Sequence, residues 1–258
     1  ANSTRHLGML RILRVRAQYA ACSPARRTLS SKAPALTLEQ AMTSSHLILN
    51  AMQSPQALQA LQTARHGDRL QKWQTANAVL IQSTLQALPQ VGFTPDGMGL
   101  QRYTEAFAEH ARSDQPEVRK ALADINMQKW RSLLRNGFDC EPAPPMSLGD
   151  ARKLAIDMVD AMQDEQLLRQ VEQTKQGLGS RLSEQELHTM VARAVVNVQA
   201  EVMEKHGLKG DAGYAQAQVC LMEHANDAVV TAAVAAATAA LYARAGINLH
   251  ESLRQAAG

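Results

Sequence analysis

The chain has 258 residues, 45% apolar but only 3% aromatic, and a core of Ala, Leu, Val and Met suits close helix packing better than a sheet. Its net charge of +3 is unevenly placed: seven basic residues and no acid lie within residues 1–38, leaving 20 basic against 24 acidic residues beyond, a net of −4. That mildly acidic body has no Lys/Arg cluster interleaved with aromatics, which argues against a nucleic-acid partner, and Cys22, Cys140 and Cys220 show no CxxC or Cys/His spacing, which argues against a zinc site or disulfide scaffold.

The chain opens on a leader. From Met9, Arg11, Arg14 and Arg16 interleave with Leu10, Ile12, Leu13 and Val15, a cationic amphipathic pattern rich in Ser and free of acids. This is the composition of an organellar transit peptide, mitochondrial in type, and the expectation is that residues 1–37 are removed. The run Arg27-Thr28-Leu29-Ser30-Ser31 resembles a processing site. A basic arm is the alternative. Ala1 to Gly8 precede a plausible start methionine and are either upstream read-through or part of a longer chain.

The body reads as one helical unit written twice. AMQSPQALQALQTARHG from Ala51 returns 110 residues later as AMQDEQLLRQVEQTKQG from Ala161. Beyond Gly67 and Gly177 the register slips by two, so that Arg69-Leu70 meets Arg181-Leu182. GFTPDG from Gly92 then faces GLKGDA from Gly207, and Glu109-His110-Ala111 faces Glu223-His224-Ala225. Arg135-Asn136-Gly137-Phe138 faces Arg244-Ala245-Gly246-Ile247. An ordered series of this kind implies tandem repeats over 38–138 and 148–258. The Pro-rich segment 139–147 is a semi-rigid linker between them.

Within each copy the signals are helical. Thr37 with Gln40, Ser147 with Asp150, and Ser183 with Glu186 have N-cap spacing. Ser54-Pro55 and Asp164-Glu165 start second helices, which Gly67 and Gly177 end. The spacing predicts a helix from Ser183 to about Lys205, a glycine-containing link over 207–213, a fourth helix, and a fifth over 229–245. Nothing shows strand alternation. The expected fold is all-α: two tandem copies of a four- to five-helix unit in a pseudo-twofold array or bundle. The uncharged stretch VVTAAVAAATAALYA is mostly alanine and faces a polar counterpart, so it reads as a buried, closely packed helix and not as a membrane span.

Chemistry is hard to find. GFTPDGMG has no following GK[ST] and reads as a turn. The sequence holds no GxSxG, HExxH or ExxH constellation, and a non-enzymatic role without a metal site is expected. His46 and His188 lack a ligand partner at i+4. The repeated Glu-His-Ala elements suggest a shared structural role, such as a helix–helix hydrogen bond, because adjacent helical residues point about 100° apart. His66 precedes a glycine at a predicted helix end, where a histidine favours the helix dipole.

One stretch carries a resemblance. Leu38-Glu39, Ser54-Pro55, Ala64-Arg65-His66, Trp73, Asn77-Ala78, Leu80 and Leu88-Pro89 match the order of motifs in the peridinin–chlorophyll a-binding proteins of dinoflagellate algae, as do Ala155-Ile156-Asp157, Leu167-Leu168 and Gly179-Ser180 in the second copy. The chain resembles that family over roughly half of each repeat. The resemblance implies a light-harvesting carrier that encloses chlorophyll a and a carotenoid such as peridinin between two repeats, in a plastid. It makes His66 the cofactor-binding residue. In the family the first histidine of a His-His pair holds the chlorophyll magnesium through water. Here Arg65 stands in that place, and Thr174-Lys175 stand in the second copy; a cation there repels magnesium. Two functions are therefore expected in parallel: a carrier of an apolar small molecule, or a mitochondrial structural or assembly protein whose partner is another protein.

Overall fold

The computed structural model describes residues 36–111, 115–178, 183–225 and 227–246. Residues 1–35 of the leader, Cys22 among them, Gly179-Ser180, Arg181-Leu182 and Ile247 lie outside them, as do the Thr174 and Lys175 side chains. The described residues are all-α, with no strand among them. Among the described residues ten helices run in order: α1 Leu38–Met52, α2 Pro55–Ala64, α3 Arg69–Ala87, α4 Gly97–Ala111, α5 Pro116–Phe138, α6 Leu148–Met162, α7 Glu165–Leu178, α8 Glu184–Lys205, α9 Gly210–Glu223 and α10 Ala228–Arg244. A 3₁₀ turn, Leu88–Val91, extends α3.

The chain divides into two compact units between Glu141 and Pro142. Side chains explain the place. Glu141 pairs with Arg131 and Arg135 of α5, whereas the carbonyls of Pro144 and Met146 accept from Cys220 and His224 of α9.

In unit 1, α1 packs on α3 and α5, and α2 rests on the same two helices. The capping predictions hold here. Thr37 accepts from the Gln40 N–H and Gln40 reaches back to Thr37; Ser54 accepts from Ala57; Asp68 and Gln71 form a second reciprocal box. Each such cap contributes about 1 kcal/mol. The buried face of α1 is Ala41, Ser44, Ser45, Ile48 and Met52.

In unit 2, α6 packs on α10 and α8. Ser147 caps α6, Asp164 caps α7 through the Leu167 N–H, and Ser183 with Glu186 boxes α8. The buried face of α6 is Ala151, Leu154, Ala155, Met158 and Met162. Each of these five stands 110 residues after a buried position of α1.

Several expectations need correction. α2 ends at Ala64, three residues before Gly67, and α7 runs through Gly177 to Leu178. Gly67 has no positive φ; it is small because the Gln71 amide that caps α3 crowds it. The fifth helices also end differently. Gly246 takes the left-handed conformation after α10, but α5 continues through Gly137 and leaves that conformation to Asp139. Finally, α10 is not buried all round. Val230, Ala237 and Tyr242 are buried while Val229, Ala232, Ala236 and Ala239 are exposed. No helix of the described residues is long and apolar enough to cross a membrane.

Candidate functional site in the interior of unit 1

His66 is exposed, two residues beyond the end of α2. Its neighbour Arg65 turns to the C-terminus of α5. The guanidinium donates to the Asn136 carbonyl at 2.7 Å and to that of Arg135, and lies 3.4 Å from Asp139. These are carbonyls that a helix end leaves without partners, and a cation is favoured there. The position that resembles a pigment ligand is thus occupied by a side chain tying α2 to α5. His46 is exposed, and the His188 ring lies 5.6 Å from that of Tyr242.

The Glu-His-Ala elements act through their histidines. His110 Nε2 lies 2.5 Å from the Leu36 carbonyl, and His224 Nε2 lies 2.8 Å from the Met146 carbonyl. The partner in each case is the backbone ahead of the unit's first helix, not a second helix as expected. Glu109 and Glu223 are exposed.

The interior of unit 1 holds a cluster that motif reading missed. Tyr103, on α4, is buried with its hydroxyl 2.9 Å from Ser44 Oγ of α1. Ser44 in turn donates to the Ala41 carbonyl. Burial pushes the Tyr103 phenol up, against the Ser44 hydroxyl bonded to it. The ring meets Phe93 edge-on at 5.8 Å and Phe107 at 5.7 Å. Across Phe107, the Lys129 ammonium of α5 lies 5.5 Å from the ring centroid, a cation–π contact. Lys129 is only 7% exposed, and burial alone pushes it down to about 8. Ser45 Oγ and Trp130 Nε1 are buried without a hydrogen-bond partner, which is uncommon for native interiors. Trp73 and Phe138 add a tilted ring pair at 6.1 Å. All three Phe and both Trp of the chain lie between positions 73 and 138. That concentration, together with two serines on the apolar face of α1, is the signal in the sequence that would have found the cluster.

Unit 2 solves the same problem with aliphatic side chains. Leu154 and Ala155 stand where α1 has Ser44 and Ser45. Its buried polar groups include Gln199 and Gln218, and Gln199 Oε1 accepts from Tyr214 and from Gln218, each at 3.2 Å. Among the described residues no group of three or more His, Cys, Asp and Glu is placed to hold a metal ion. None of the known protein families, curated proteins or solved structures compared with the chain matches it.

Proposed function

We propose that the protein is a non-enzymatic helical carrier whose unit 1 takes an apolar ligand, and that its two units arose by tandem duplication. The observation that carries the ligand reading is the buried Lys129 over the Phe107 ring, which in turn packs on Tyr103, a cation without a counter-ion in an apolar interior. Ligand sites combine aromatic lining with a few convergent polar groups. What supports duplication is the series of equivalent positions: caps Thr37 and Ser147, tethers His110 and His224, and left-handed glycines Gly92 and Gly207 with φ of 85° and 84°.

In its pigment form the reading has chlorophyll a approach the exposed His66, with a carotenoid such as peridinin beside it, in a plastid. Protein from its native source, examined by absorption and by mass spectrometry of co-purifying small molecules, tests both forms. Absence of a chromophore ends the pigment form, and absence of any apolar companion ends the carrier reading. A reporter fused to residues 1–40 and imaged in cells decides between mitochondrion and plastid.

The second reading is an organellar structural or assembly protein. It is favoured by apolar exposure in unit 2, where Ile156 of α6 is 46% and Val229 of α10 43% exposed. A protein partner would cover them.

A further inference from the structure

Burying a lysine without a counter-ion is costly, and a group kept in that state is a functional candidate. No carboxylate of the described residues is within ion-pair reach of Lys129. Its described company is the Phe107 ring, and through it Tyr103 and Ser44. Elsewhere in the interior of unit 1, Ser45 Oγ on α1 and Trp130 Nε1 on α5 are also buried without a partner. What Lys129 lacks is an anionic partner.

We propose that Lys129 anchors the carboxylate of an amphiphilic ligand whose apolar body lies against the Phe107 and Tyr103 rings. This rests on the carrier reading and adds the ligand's head group to it. A carboxylate accepts from the ammonium, and charge-assisted hydrogen bonds are the strong ones. A ligand lacking the negative charge leaves the cation buried and unpaired, so selectivity follows from the cost of that state.

The test uses the full chain with dodecanoate, methyl dodecanoate and dodecanol, read by tryptophan fluorescence and titration calorimetry at pH 7. The expected result is that dodecanoate binds about tenfold or more tightly than the ester and the alcohol. Lys129→Met should remove that preference while keeping the helical circular dichroism. The preference should also shrink as pH rises from 8 to 10. Equal affinity for acid and ester in the native protein overturns the proposal and leaves the carrier reading standing. A preference that survives in Lys129→Met overturns it too. Failure of all three to bind removes both.

Discussion

His224 Nε2 and the carbonyl oxygen of Met146 lie 2.8 Å apart, a bond that spans 78 positions and ties the segment before α6 to the end of α9. His110 makes the same bond to Leu36 in unit 1. The imidazole must carry its proton on Nε2, because a carbonyl only accepts. His224→Ala strands a part-buried acceptor. It should cost about 1–2 kcal/mol in urea unfolding, with His110→Ala costing a similar amount. An unchanged midpoint for either variant would show that the tether contributes nothing.

Lys129 sets a second prediction, about the protein without ligand. Its ammonium titrates at about 8 when folded and at 10.5 ordinarily. Between those values the unfolded chain holds more protons, so stability rises with pH; below 8 the full penalty remains, and above 10.5 it is gone. Lys129→Met replaces the stem with an apolar one of similar length. The variant should be more stable by about 3 kcal/mol at pH 7, with the gap closing toward pH 10. Chemical denaturation at pH 6, 8 and 10 measures this, and a gap independent of pH would rule out the uncompensated charge as its cause.

These two sites also show what could be read from the chain alone. The N-caps at Thr37, Ser54, Ser147 and Ser183 were legible because a cap is a local bargain between one side chain and one turn of backbone. Helix ends were less so: Gly67 looked like a C-terminal glycine, yet its size serves the Asp68–Gln71 box. The histidines of the Glu-His-Ala elements stood out by repetition, but their partners sit 74 and 78 positions away. Ser44, Ser45 and Lys129 escaped notice because polar residue types are usually exposed. Only tertiary packing of α1, α4 and α5 buries them.

Two glycines are required by close backbone approach. A Cβ on Gly99 would fall 1.9 Å from the Thr94 carbonyl oxygen, and one on Gly213 would fall 2.2 Å from the Leu208 carbonyl carbon. Neither backbone can yield without moving the turn that enters α4 or α9. Gly99→Ala and Gly213→Ala should each destabilise by about 3 kcal/mol or more. Gly97→Ala, where a Cβ meets nothing within 4 Å, should stay within about 0.5 kcal/mol. Thermal melts followed by circular dichroism separate the three, and a Gly213→Ala protein as stable as Gly97→Ala would refute the close approach.

Asp227 holds two positions at once. Its carboxylate takes Arg152 Nη2 at 2.6 Å and Nε at 3.2 Å, and accepts the N–H groups of Val229 and Val230 at the start of α10. The Arg152 hydrogen bond, followed by the Val230 N–H, holds its pKa down at about 2, against an ordinary 3.8. A carboxyl depressed on folding contributes stability that is fully present above 3.8 and is lost as pH falls through 2. Asp227→Asn keeps an N-cap acceptor but removes the charge. The variant should be less stable than the native protein at pH 7, and the difference should vanish between pH 4 and 2. Acid titration of both proteins by circular dichroism reads this directly. A gap that persists at pH 2 would mean that shape, and not charge, joins α6 to α10 at this point.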